Sequence, residues 1–106
     1  MGSNPTPGTN MSFLIERRLR RMSTQLQQAR SELAAAEEQL LQVREESEDA
    51  HLRGLVSDQI EDSVAARDSS RYLLAMQRGR DDSVARVLRL EAETDRLLER
   101  LNASRK

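Results

Sequence analysis

One pattern of apolar positions dominates the first half of the chain. From Ile15 onward, apolar or alanine residues recur in alternating steps of four and three: Ile15, Leu19, Met22, Leu26, Ala29, Leu33, Ala36, Leu40 and Val43, followed by Ser47 and Ala50. Only Ser47 interrupts the set. A mean repeat of 3.5 residues keeps one narrow stripe facing a partner helix, which is the mark of a left-handed coiled coil. The pattern predicts a helix over 12–53, with Ser12 as its N-cap. His51 and Arg53 fall in the last turn, Gly54 follows as a left-handed residue, and Leu55 is placed to close the end with an apolar contact.

A second helix is predicted over 58–102, after a turn at 54–57. Ser57 or Asp58 can cap it, and Asp58 with Glu61 has capping-box spacing. Counting back from Leu101, its stripe reads Leu97, Thr94, Leu90, Val87, Ser83, Arg80, Met76 and Leu73. Further back the same register meets Ser69, Ala66, Asp62 and Gln59, while the apolar Ile60 and Val64 sit beside it. A register shift is therefore expected between 66 and 73. Gly79, with Asp82 as a new cap, marks a second place to break. An isolated glycine costs only about 1 kcal/mol relative to alanine, so one continuous or locally bent helix is expected.

The two segments predict an all-α fold: an antiparallel two-helix coiled-coil hairpin joined by a short αα turn. Folding at 54–57 sets residues whose numbers add to about 111 opposite each other. Arg17, Arg18, Arg20 and Arg21 then face Glu91, Glu93 and Asp95, and Arg30 faces Asp81 and Asp82. A single long helix dimerising in parallel would instead align like charges. Because the second stripe is poor, pairing with another copy into a four-helix bundle, or with a client helix, is an expected way to cover it. Residues 1–11 carry both prolines and no apolar period, and are expected to be disordered.

Composition narrows the function more than it names it. The 106 residues hold one Phe, one Tyr and no Trp, with 37% hydrophobic and 33% charged residues, so the apolar content suits a seam better than a globular core. There is no Cys, hence no disulfide or thiolate metal site. No apolar run approaches the roughly 20 residues of a membrane span, and a cytoplasmic location is the expectation. No phosphate loop, metal-ligand spacing or nucleophile–base pair is present. The expectation is no enzyme, no cofactor and no metal site.

Three charged or polar features are candidate binding sites. The first is the cluster Arg17, Arg18, Arg20 and Arg21, beside Phe13 and Leu14. Such a segment can pair across the hairpin, contact phosphates of a nucleic acid, or lie on an anionic membrane surface. The second is the tip, where Leu52, Leu55 and Val56 stand among Glu45, Glu46, Glu48, Asp49, Asp58, Glu61 and Asp62. The third is the polar stretch holding Arg67, Ser70, Arg71, Gln77, Arg78 and Asp81.

Within that stretch Ser70, Gln77 and Asp81 keep the spacing of a motif, E-x3-S-x2-R-x3-Q-x3-D. The pattern resembles that of bacterial anti-sigma factors that bind cyclic di-GMP on an antiparallel coiled-coil hairpin. The resemblance covers about sixteen residues and implies a transcription regulator responsive to a cyclic dinucleotide. The Glu position is Ala66 here, and the Arg position, which in the family contacts guanine and phosphate, is Leu73. In the first helix Gln27, Ser31, Ala34, Glu38 and Gln42 fit the spacing, and only Ser31 keeps the identity. The residues themselves favour a non-catalytic interaction module, a small bacterial adaptor or regulator, with a protein partner or a second copy as its ligand.

Overall fold

The computed structural model describes residues 7–105, with side chains from Met11 onward. Two helices make up the fold: α1, Pro7–Val56, and α2, Ile60–Ser104. They form an antiparallel hairpin, as the apolar pattern predicts. Every predicted stripe position of α1 from Ile15 to Ala50 is buried or half-buried. The same spacing extends to Ser12 at one end and to Gly54 and Ser57 at the other.

The ends differ from expectation. α1 begins at Pro7, so Ser12 is interior and Pro7–Met11 are helical; Met1–Thr6 lie outside the described residues. Proline suits a first helical turn, where its missing N–H would have no partner. Ser12 Oγ instead meets Ser104 Oγ across the seam at 2.9 Å.

The reversal also comes later than predicted, at 57–59. Gly54 is not left-handed; no described glycine has positive φ. The helix runs through it, and the Ser57 N–H donates to the Arg53 carbonyl at 3.0 Å. Gly54 sits instead against α2. It occupies the next stripe position, and a Cβ there would lie 3.4 Å from both the Ala66 Cβ and the Asp62 carbonyl oxygen. Leu55 makes no closing contact and is 78% exposed. Ser57 does not cap α2: its Oγ accepts from the Gln59 N–H at 3.1 Å, a turn just ahead of the helix. The last turn of α2 reaches Ser104, two residues past the expected end.

The later turn resets the register. In the facing pairs Ser12–Ser104 and Gly54–Asp62 the residue numbers add to 116. Arg18 still reaches Glu93, at 3.0 Å, but Arg30 pairs with Glu91 at 3.4 Å and not with Asp81 or Asp82. Asp81 instead accepts from its neighbour Arg80 at 2.9 Å.

No register shift occurs in α2. Asp62, Ala66 and Ser69 hold the stripe, half-buried, while Ile60 and Val64 are left outside, 78% and 46% exposed. The apolar positions Leu73 and Met76 fix the helix phase in the turn unit, and the unbroken helix carries that phase to its start. Gly79 does not break α2; it lies on the exposed side, where a Cβ would meet nothing within 4 Å.

The chain divides into two units. The terminal unit joins the start of α1, through Arg30, to α2 from Arg86 onward. The turn unit is Ser31–Ala85. In the terminal unit Ile15, Met22, Leu97 and Leu101 form a buried cluster, with Leu19 and Leu90 packed on it. In the turn unit Leu40, Val43 and Ser47 of α1 are buried, whereas no α2 residue is; its stripe is Asp62, Ala66, Ser69, Leu73, Met76, Arg80 and Ser83.

Candidate functional site

Three surfaces follow from this packing. The first is the tip of the turn unit. Because the stripe of α1 ends on Ala50, Gly54 and Ser57 and that of α2 begins on Asp62, Ala66 and Ser69, the apolar side chains near the reversal are turned outward. Leu52, Leu55, Val56 and Ile60 are between 61% and 85% exposed. Sequence reasoning found Leu52, Leu55 and Val56 and missed Ile60, since a shifted register would have buried it.

The second is a shallow open groove on one flank of the turn unit, lined by Arg44, Ser47, Glu48, His51, Leu52, Leu55, Ser70 and Leu73. It contains part of the motif-like stretch. Ser70 and Gln77 are half-buried, and Leu73 fills a stripe position where the resembled motif has its arginine. Asp81 is exposed and engaged by Arg80. Arg67, Arg71 and Arg78 are all exposed.

The third surface is electrostatic and lies on one flank of the terminal unit. Arg18 and Glu93 mark it in the terminal unit. Arg17, Arg18 and Arg21 line one concavity there, and Arg18, Arg96 and Arg100 line another with Glu93. Arg89 and Arg96 line a third. The predicted cluster is thus divided. Arg18 and Arg21 join arginines of α2 that the sequence reading did not single out, whereas Arg20 falls on the row of Phe13 and Gln27. The missed arginines had a signal: Arg89, Arg96 and Arg100 stand around Glu93 in steps of three, four and seven, the spacing of one helix flank.

Taken by itself, the turn unit carries the opposite sign on exposed positions of both helices. There Glu46, Asp49 and Arg53 of α1 and Asp58, Glu61, Asp68 and Asp82 of α2 are exposed. Between those of α2 stand the exposed Ala65, Tyr72, Ala75 and Gly79. The polarity holds for whole units. The terminal unit has eleven Lys and Arg against five Asp and Glu, a net +6; the turn unit has six against thirteen, a net −7. The overall charge of −1 conceals this.

Among the described residues no cluster of His, Cys, Asp or Glu is arranged to hold a metal ion, and no helix is long and apolar enough to cross a membrane. Comparisons of the chain with protein-family models, curated proteins and solved structures returned no match.

Proposed function

We propose that the hairpin is a non-catalytic protein–protein interaction module, a small bacterial cytoplasmic adaptor or regulator, that engages an apolar segment of a partner through the tip of the turn unit. One observation carries this reading: Leu52, Leu55, Val56 and Ile60 are exposed together at the reversal. Exposed apolar groups gathered at one place mark contact sites on soluble proteins. The surrounding carboxylates favour a partner with basic residues beside its apolar segment.

The test is capture from the native cell with the wild-type chain and with Leu55→Ser/Ile60→Ser. Both side chains are exposed, so helicity by circular dichroism should be unchanged. A specific partner should be retained by the wild type and lost by the variant. Identical captures by both would reject the tip as the binding surface.

The anti-sigma reading has Ser70 and Gln77 half-buried on α2 in its favour and Leu73 against it. Calorimetry with cyclic di-GMP separates the two: heat at micromolar ligand supports a nucleotide-responsive regulator, and its absence leaves the plain interaction module.

A further inference from the structure

The arginines of the terminal unit gather on one side of it. Steps of seven place Met11, Arg18, Gln25 and Leu14, Arg21, Gln28 of α1 on the flank marked by Arg18 and Glu93. On α2 the rows of the same flank are Arg86, Glu93, Arg100 and Arg89, Arg96, Ala103. One concavity joins Gln25 to Arg89 and Glu93 and another joins Arg18 to Arg96 and Arg100, so the two helices share this face. All of these positions are exposed except Glu93, which is half-buried. They hold six arginines against one carboxylate, a net +5. The other flank of the unit holds Arg20, Arg30 and Arg105 against Glu16, Glu91 and Asp95, a balance of zero. We propose that the basic flank of the terminal unit binds the phosphate backbone of a nucleic-acid duplex, without reading its sequence.

The chemistry of the face selects this occupant. Its cations are all arginines, whose planar fork meets two phosphate oxygens at once. Arg86 and Arg100 stand fourteen residues apart on α2. At 1.5 Å per residue that is about 21 Å, the axial length of about six base pairs. The cations are thus strung out over several phosphates and do not converge on one. A single strand is held by stacking its bases on aromatic rings, and this face has none: Phe13 lies on the balanced flank and Tyr72 belongs to the turn unit. A helix lying on a membrane surface borders its cations with a broad apolar face. Here the large exposed apolar residues are Met11 and Leu14 at one end, whereas Phe13, Leu88 and Leu98 fall on the balanced flank. Neutralising phosphates releases condensed counterions, so such a face gains affinity from charge alone. Glu93 works against it by holding Arg18 at 3.0 Å. The turn unit, at net −7, is repelled by the same polymer, which confines the contact to the terminal unit. The face shares no residue with the apolar tip, so the inference does not depend on the tip's binding a partner.

The test is fluorescence anisotropy of the full chain with two labelled DNA duplexes of unrelated sequence, at about 50 and about 200 mM salt. Both duplexes should bind alike, with micromolar affinity or tighter at the lower salt. Binding should weaken about a hundredfold at the higher salt, the fall expected for about four phosphate contacts. Arg89→Gln/Arg96→Gln should weaken binding about tenfold or more and lower the salt dependence by about two contacts. Arg20→Gln/Arg30→Gln removes the same charge from the balanced flank and should change affinity less than about threefold. Glu93→Gln should tighten binding about threefold or more, because it frees Arg18 and removes the one carboxylate of the face. A variant that merely loosened the hairpin would not gain affinity, and circular dichroism should show all three as helical as the wild type. No binding at the lower salt would overturn the proposal. So would equal losses from the two double variants, which would make net charge the cause. Capture by vesicles of phosphatidylserine and phosphatidylcholine, with no affinity for the duplexes, would assign the face to a membrane surface instead. A single strand bound more tightly than its duplex, or a strong preference for one duplex sequence, would also sink the backbone reading.

Discussion

The terminal unit and the turn unit are built on one heptad spacing and hold together by different means. In the terminal unit both helices contribute buried apolar side chains: Ile15 and Met22 from α1, Leu97 and Leu101 from α2. Ion pairs span its two flanks, Arg18–Glu93 on one and Arg30–Glu91 and Glu16–Arg105 on the other. In the turn unit the buried residues come from α1 alone, and α2 offers Asp62, Ala66, Ser69, Arg80 and Ser83 along its stripe. The contrast teaches that heptad phase and seam strength are separate properties. A helix anchored by leucines at one end can carry a weak, polar stripe in register at the other, leaving apolar residues such as Ile60 on the outside. The weakly sealed unit is also the one with the exposed apolar tip.

The largest effect should come from emptying the strong seam. Leu97, 3% exposed, sits in the terminal cluster. Leu97→Ala should cost about 2–4 kcal/mol by lost transfer and residual cavity. Leu73→Ala, at a half-buried position of the turn unit, should cost about 1 kcal/mol, since less area is removed from contact. Urea unfolding followed by circular dichroism, at matched protein concentration because association adds stability, gives both values. Equal losses would erase the distinction between the units.

The comparison can also be narrowed by repairing the weak seam. By the register in which facing numbers add to 116, Ser83 lies opposite Leu33, and both are half-buried. Ser83→Leu should stabilise the hairpin by about 1–2 kcal/mol through added apolar burial. Native-state hydrogen exchange should show the gain concentrated in amides of the turn unit, which are expected to exchange faster than those of the terminal unit in the wild type. A gain spread evenly over both units would show that they open as one.

Much of this was legible in the sequence, for definite reasons. The α1 stripe could be read residue by residue because it is apolar at nearly every position. The antiparallel pairing followed from opposite charges and from a single short interruption. The turn could not be placed, because glycine serves two purposes and Gly54 serves the less familiar one here: close approach of Ala66 and Asp62, without a left-handed backbone. The register of α2 near Ile60 and Val64 was misread because local apolar residues argue for burial, while the phase is imposed from Leu73 onward. The arginines of the terminal flank were missed because Arg18 adjoins Arg96 and Arg100 only after folding.

The two helical glycines sharpen the picture at smaller scale. At Gly79 a methyl group meets open space, so Gly79→Ala should stabilise by about 0.5–1 kcal/mol, the helix-propensity difference. At Gly54 the same methyl would touch Ala66 and Asp62 at 3.4 Å, at the near edge of ordinary contact. Gly54→Ala should therefore gain less than Gly79→Ala, and thermal unfolding of the two variants side by side checks the order. The reverse order would mean that the tip has room to spare.

The smallest effect belongs to the flanking charges. Arg18 and Glu93 meet at 3.0 Å with side chains 56% and 33% exposed. Water and salt screen such a pair, and holding two long side chains in one geometry costs entropy, so a double-mutant cycle with Arg18→Gln and Glu93→Gln should return a coupling of about 0.2–0.5 kcal/mol. That is several-fold below the loss expected for Leu97→Ala. The inequality matters for what the arginines of the terminal unit are for. If their worth lay in holding the hairpin shut, neutralising Arg18 would cost as much as truncating a seam leucine. A small coupling, falling further as salt is raised, means that the basic flank adds little to closure and that its charge acts mainly outward, toward whatever carries the opposite sign.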